Sequence, residues 1–171
     1  PKALVRVAEQ QIRVAEDVVG RLQSMIALPA ESTFETYQGQ ETFIAHEEEL
    51  LKNASKGAEL LVIGGNGDRF VELMGESYGA YEFARRKKEI HVRYLGSKDQ
   101  IEQLRKNEAN RFLFQARALP AHFTGLMNTN IWPDVVNLNM FGTPVTSFVL
   151  KSADVAESYR SFFEALWGMA K

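Results

Sequence analysis

The chain has 171 residues, 45% apolar and 11% aromatic, which is enough for one packed domain with an appendage and too much for a disordered tail. Twenty Lys and Arg against twenty-two Asp and Glu give a net charge of −2, which excludes a surface built throughout to neutralise nucleic-acid phosphates. The absence of Cys excludes disulfides, thiolate-bound metals and Cys nucleophiles, in keeping with a reducing, cytoplasmic setting.

The chain opens on an apolar repeat at Val5, Ala8, Ile12, Ala15, Val19, Leu22 and Ile26, stepping alternately by three and four before Pro29. That spacing predicts a coiled-coil dimerisation helix over residues 1–28. Its small residues, Ala8 and Ala15, limit what the seam can bury, so a homodimer needs further surface from the domain behind it. A helix of this kind at the start of a chain that begins with Pro1 suggests the C-terminal part of a larger dimeric protein.

A second unit is expected over residues 31–171. Thr33 to Tyr37 alternates like a half-buried strand, and Gly39 turns the chain into a helix from Glu41 to Ser55 with Phe43, Ile44, Leu50, Leu51 and Ala54 inward. Glu59 to Gly64 is a continuous apolar run, the texture of a central strand covered on both faces. Asp68 is placed to cap a helix carrying Phe70, Val71, Met74, Tyr78, Tyr81 and Phe83, with an irregularity at Gly75 or Gly79. A strand over Glu89–Leu95 and a helix over Asp99–Lys106 follow.

Beyond Arg111 the pattern is of strands: Arg111–Ala118, Thr124–Asn128, Asn130–Leu138 and Val145–Lys151, with turn signals at Pro120, Pro133 and Gly142-Thr143-Pro144. A last helix, Ala153–Met169, buries Val155, Tyr159, Phe162, Phe163 and Leu166, while Trp167 is a candidate for a dimer surface. The order implies an α/β fold: a mixed sheet with a parallel start, flanked by helices and preceded by the coiled-coil helix. No stretch is long enough to cross a bilayer, and the N-terminus is unlike a secretory signal, so no membrane partner is expected.

Four local texts, in this order, resemble the C-terminal effector domain of TrmB-like prokaryotic transcription regulators. They are Phe34-Glu35-Thr36-Tyr37-Gln38-Gly39-Gln40-Glu41, Glu59-Leu60-Leu61-Val62-Ile63-Gly64, Ser152-Ala153-Asp154-Val155-Ala156 and Phe162-Phe163-Glu164-Ala165-Leu166-Trp167. The resemblance implies a phospholipase-D-like fold that senses a small-molecule effector, often a sugar, and a winged-helix DNA-binding domain that lies outside these residues. DNA would then be a partner through that other domain.

The implied fold supplies its own test for catalysis, a H-x-K-x-x-x-x-D pattern in which the His attacks phosphorus and the Lys neutralises the phosphoryl oxygens. Begun at His122, the pattern meets Thr124 and Thr129; begun at His91, it meets Arg93 and Lys98. Neither set is complete, so no enzyme is expected and both histidines read more simply as strand or loop residues. His46, beside Glu47, Glu48 and Glu49, reads as part of a solvated helix face. Neither H-E-x-x-H nor a Cys/His framework is present, and no metal or cofactor is expected.

Gly64-Gly65-Asn66-Gly67-Asp68 follows a buried strand where backbone N–H groups can hold an anion, although a tight turn with an Asp cap explains the same residues. Arg85-Arg86-Lys87-Lys88, at a helix end, complements the helix dipole and offers at most a grazing contact to DNA phosphates. The effector site is expected where Asn66, Arg69, Arg117, His122, Thr124, Asn128 and Asn130, together with Asn137, converge at strand ends. The function these readings favour is ligand sensing and dimerisation for a DNA-binding regulator. The alternatives are a phospholipase-D-type phosphodiesterase or nuclease, and a ligand-free dimerisation or docking module.

Overall fold

A computed structural model describes residues 32–64, 67–108, 112–119 and 127–170. The seven residues of the heptad seam therefore lie outside the described residues, as do Asn66, His122 and Thr124.

The elements are β1 (Thr33–Gln38), α1 (Gln40–Asn53), β2 (Glu59–Gly64), α2 (Gly67–Met74), α3 (Ser77–Lys87) and β3 (His91–Gly96). They continue with α4 (Lys98–Glu108), β4 (Phe114–Ala118), β5 (Met127–Ile131), β6 (Val135–Met140), β7 (Thr146–Lys151) and α5 (Ala153–Met169). The seven strands form one sheet in the order β1-β7-β6-β5-β2-β3-β4. β2, β3 and β4 pair in parallel, and every other pairing is antiparallel. The parallel start with antiparallel additions is as expected, with β1 carried to the far edge beside β7.

Alternation in the strands gives the sheet two apolar faces. Leu60 and Val62 of β2 join Val92, Tyr94, Phe43, Leu51, Met74, Tyr81 and Ile101 in a core beneath α1 to α4. Leu61 and Ile63 pack on the other side with Leu95, Ile131, Val136, Phe163 and Trp167, beneath α5. A strand apolar on both sides fits its central place. It ends on Gly64, where an added Cβ would fall 2.2 Å from Asn128 Oδ1.

Several boundaries differ from expectation for local reasons. The long helix after Asp68 is two helices, broken at Gly75, whose φ of 50° suits glycine. Asp68 stands inside the first turn of α2 instead of before it. Glu89 belongs to the turn after α3, with φ 56°, and β3 starts at His91. The strands expected over 124–128 and 130–138 are instead a hairpin, β5 and β6, turned at Trp132-Pro133-Asp134 and closed by the Trp132 N–H to the Val135 carbonyl at 2.8 Å. Pro133, which cannot donate to a ladder, sits outside both strands.

Some side chains also depart from the expected pattern. Phe83 and Phe162 are 70% and 56% exposed, so neither belongs to the core. Trp167 is buried, with the guanidinium of Arg93 4.4 Å and that of Arg117 4.6 Å from its ring centroid. It is a core residue and not a dimer surface. No described helix is long and apolar enough to cross a membrane.

Candidate functional site

The face of the sheet beneath α1 carries an unusual polar layer. Asn128 and Asn130 of β5, Asn137 and Asn139 of β6, and Ser147 of β7 all point to this face, because each strand repeats with period two and the pairs Asn128–Asn139, Asn130–Asn137 and Asn139–Ser147 are in register. All five are buried. From α1, His46 and Glu47 enter the layer on the same stripe as Phe43, Leu50 and Leu51. Their place on a solvated face is thus corrected: His46 is 2% and Glu47 0% exposed.

The polar contacts are few. Asn139 Nδ2 donates to Glu47 Oε1 at 3.1 Å, and Asn137 Nδ2 lies 3.2 Å from His46 Nε2. The His46 ring stacks on Tyr37 at 4.1 Å between centroids. Tyr37 in turn donates to Glu35 at 2.6 Å, and Lys151 Nζ donates to the same carboxylate at 2.8 Å. Glu47 Oε2, His46 Nδ1, Ser147 Oγ and the amide oxygens of Asn130, Asn137 and Asn139 have no hydrogen-bond partner among the described residues.

Burial pushes the Glu47 carboxyl up to about 7, against the opposing pull of the Asn139 and Asn137 amides. The same cause lowers His46, against the opposing pull of the Asn137 amide.

Two openings adjoin this layer. A cavity of about 80 Å³, lined by Phe70, Tyr78, Tyr81, Tyr94, Phe114, Asn128 and Asn130 among others, reaches the asparagines from beneath α2 and α3. That volume is about half of the roughly 150 Å³ that holds one benzene, and so is too small for a sugar. A cleft of about 410 Å³ lies between the C-terminal half of α1 and the β5–β6 turn, lined by His46, Glu49, Asn53, Ser55, Trp132, Asp134 and Lys151 with neighbouring apolar residues. Its size is within the range of small-molecule sites, roughly 300–1,000 Å³.

The expected effector cluster is only partly assembled. Asn128 and Asn130 share a face and a cavity, and Asn137 shares the face. Arg69 is exposed on α2 and pairs with Glu72 at 2.8 Å. Arg117 is on the other face of the sheet, in register with Leu95, and donates to the Trp167 carbonyl at 3.0 Å. Convergence of Arg117 with the asparagines is therefore corrected: positions two apart share a face, and Arg117 falls on the wrong parity.

The basic run is mostly structural. Arg85 is 2% exposed and holds the carbonyls of Ile90 and Phe112 as well as Glu82. Lys88 Nζ bonds the carbonyls of Lys52 and Ala54 at the end of α1. Arg86 lies 3.8 Å from Glu82.

The hairpin also gives the catalytic pattern a register that the sequence reading missed. Counting back from Asp134 in the β5–β6 turn, the His and Lys positions of H-x-K-x-x-x-x-D fall on Met127 and Thr129. Among the described residues no group of three His, Cys, Asp or Glu side chains is placed to hold a metal ion.

No family model and no curated protein matches this chain. Among solved structures, TrmBL2, an archaeal chromatin protein whose structure shows a novel mode of DNA binding, matches with a TM-score of 0.57 at 13% identity, over 99% of this chain and 67% of that one. NucT from Helicobacter pylori matches with a TM-score of 0.57 at 10% identity, over 82% of this chain and 98% of its own. Nuc from Salmonella typhimurium, a phospholipase D family member, matches with 0.53 at 11%, over 82% and 97%. The chain thus has a phospholipase-D-like fold, which it shares with a phospholipase D family member and with a chromatin protein.

Proposed function

We propose that this chain is the dimeric, ligand-sensing part of a cytoplasmic DNA-binding regulator of TrmB-like type, built on a phospholipase-D-like fold without the hydrolytic set. The observation that carries this reading is the β5–β6 hairpin. Where phosphoryl transfer needs a nucleophilic His and a cation, the pattern ending at Asp134 offers Met127 and Thr129, and the strands carry asparagine amides on the buried face beside it. The match to TrmBL2 over 99% of the chain, against 82% for NucT and Nuc, supports the same choice.

In this reading the seam from Val5 to Ile26 joins two copies, and the sheet domain transmits an effector's presence to a DNA-binding part in the longer protein. Such a device requires the effector to bind two arrangements with different affinity, since equal binding shifts nothing. The experiment is a thermal-shift screen of sugars and other small metabolites, followed by DNA binding of the longer protein with each hit. Hits that stabilise the domain are expected to change DNA affinity by roughly five-fold or more. Stabilising hits that leave DNA affinity unchanged would contradict the regulatory role.

A further inference from the structure

We infer that the uncovered part of the sheet face beneath α5 pairs with the same face of a second copy, adding to the dimer that the seam begins. This gives the dimeric part of the reading above a surface, and rests on that part. Register lays the face out in rows across β1, β7, β6 and β5. The first row is Phe34, Leu150, Val136 and Ile131, and α5 packs over its inner half, where Val136 and Ile131 are 0% exposed. The second row is Thr36, Phe148, Leu138 and Thr129, and the third is Gln38, Thr146, Met140 and Met127. None of the eight residues in these two rows is buried, and Met127 and Met140, in register with each other, are 40% and 39% exposed. Phe34, 57% exposed, stacks on Phe148 and extends the apolar surface to the edge strand. On the opposite face of the same strands, Asn128, Asn130, Asn137, Asn139, Ser147 and Val149 are all buried.

Composition says what meets this face. A sheet face turned to water ordinarily carries charged side chains, yet none of the residues in the three rows is charged. An anionic partner finds no cation here and a cationic one no carboxylate. The polar members, Thr36, Gln38, Thr129 and Thr146, have hydroxyl or amide groups that both donate and accept, so each can bond to its own kind. A two-fold contact needs that self-complementarity, and it brings no like charges together. Area narrows the choice further. Two rows over four strands span about 19 Å by about 14 Å, so a pair of such faces covers roughly 500 Å², under half of the roughly 1,200 Å² at which stable interfaces begin. A free partner would not stay on so small a face, whereas a copy already joined through the Val5–Ile26 seam meets it at high effective concentration. The need is mutual, because Ala8 and Ala15 leave the seam short of apolar burial.

The test is sedimentation equilibrium of the 171-residue chain, which is expected to be dimeric at about 10 μM. Met140→Glu and, separately, Met127→Glu should each raise the dimer Kd by about 100-fold or more, because each puts a charge into an apolar contact and faces it with its own image. Phe83→Glu, at a side chain 70% exposed on α3, should leave the Kd unchanged. Both methionines are exposed in the single chain, so the far-ultraviolet circular dichroism of these variants should match that of the wild type. A dimer that Leu22→Glu in the seam dissolves, but that neither methionine variant weakens, overturns the inference and leaves the dimeric reading standing. A wild type that stays monomeric up to about 100 μM removes both. If Met140→Glu then lowers the urea midpoint of that monomer, another part of the same chain covers the face.

Discussion

Glu47→Gln is expected to stabilise the domain above pH 7 and to change it little at acid pH. The carboxyl is wholly buried, accepts from Asn139, and has no cation among its recorded partners. Its pKa rises from 4.5 to about 7 because burial penalises the charged form. A raised folded-state pKa means that the folded chain holds a proton which the unfolded chain releases between those values. The associated stability is fully present below 4.5 and is lost as pH rises through about 7. At the alkaline limit the loss is about 3 kcal/mol, which the neutral glutamine does not suffer.

His46 acts in the opposite direction. Its lowered pKa gives stability that is present above 6.5 and lost as pH falls through the folded value. Between pH 4.5 and 6.5 the two effects oppose each other, so the wild type should change little there and lose stability as pH rises from 6.5 through about 7, while Glu47→Gln keeps only the loss on the acid side. Urea unfolding of both proteins from about pH 5 to about pH 9 reads this directly. Parallel profiles would show that Glu47 is not a buried, cation-free carboxyl.

Arg85→Ala is expected to cost about 3–5 kcal/mol, while Lys87→Ala, two residues away on the exposed side of α3, should stay within about 0.5 kcal/mol. The Arg85 guanidinium bonds the Ile90 carbonyl at 2.7 Å, the Phe112 carbonyl at 2.8 Å and both oxygens of Glu82. Truncation leaves two carbonyls and a carboxylate short of a donor where α3 meets the starts of β3 and β4. Unfolding midpoints in urea for the two variants decide between this role and a phosphate-binding one. Near-equal midpoints would mean that the basic run is a surface feature after all.

Much of the architecture was legible because period and punctuation agree along the chain. The apolar run Glu59–Gly64 is the central β2, Gly75 breaks the helical pattern where expected, and Ser152 caps α5 by accepting from the Val155 N–H. The functional layer was harder to see, since its residue types suggested turns and solvent. Yet the signal was present. Asn128-Thr129-Asn130 and Asn137-Leu138-Asn139 repeat with the strand period on both sides of Pro133, and His46 and Glu47 follow Phe43 by three and four.

What periodicity cannot give is the register between strands that are distant in sequence. Arg117 and the asparagines were grouped by type, and only the pairing through Leu95 and Ile63 separates their faces. The cleft likewise needs the β5–β6 turn brought against α1, an encounter between residues some ninety positions apart that no local pattern encodes.

Regulation in place of hydrolysis is the central claim, and the most direct measurement is turnover of a phosphodiester by the purified chain. Incubated with bis(p-nitrophenyl) phosphate and with plasmid DNA, the chain is expected to give no hydrolysis above buffer. Activity that co-elutes with the protein and disappears in His122→Ala or His91→Ala would contradict the account and make the fold's hydrolytic members the better guide.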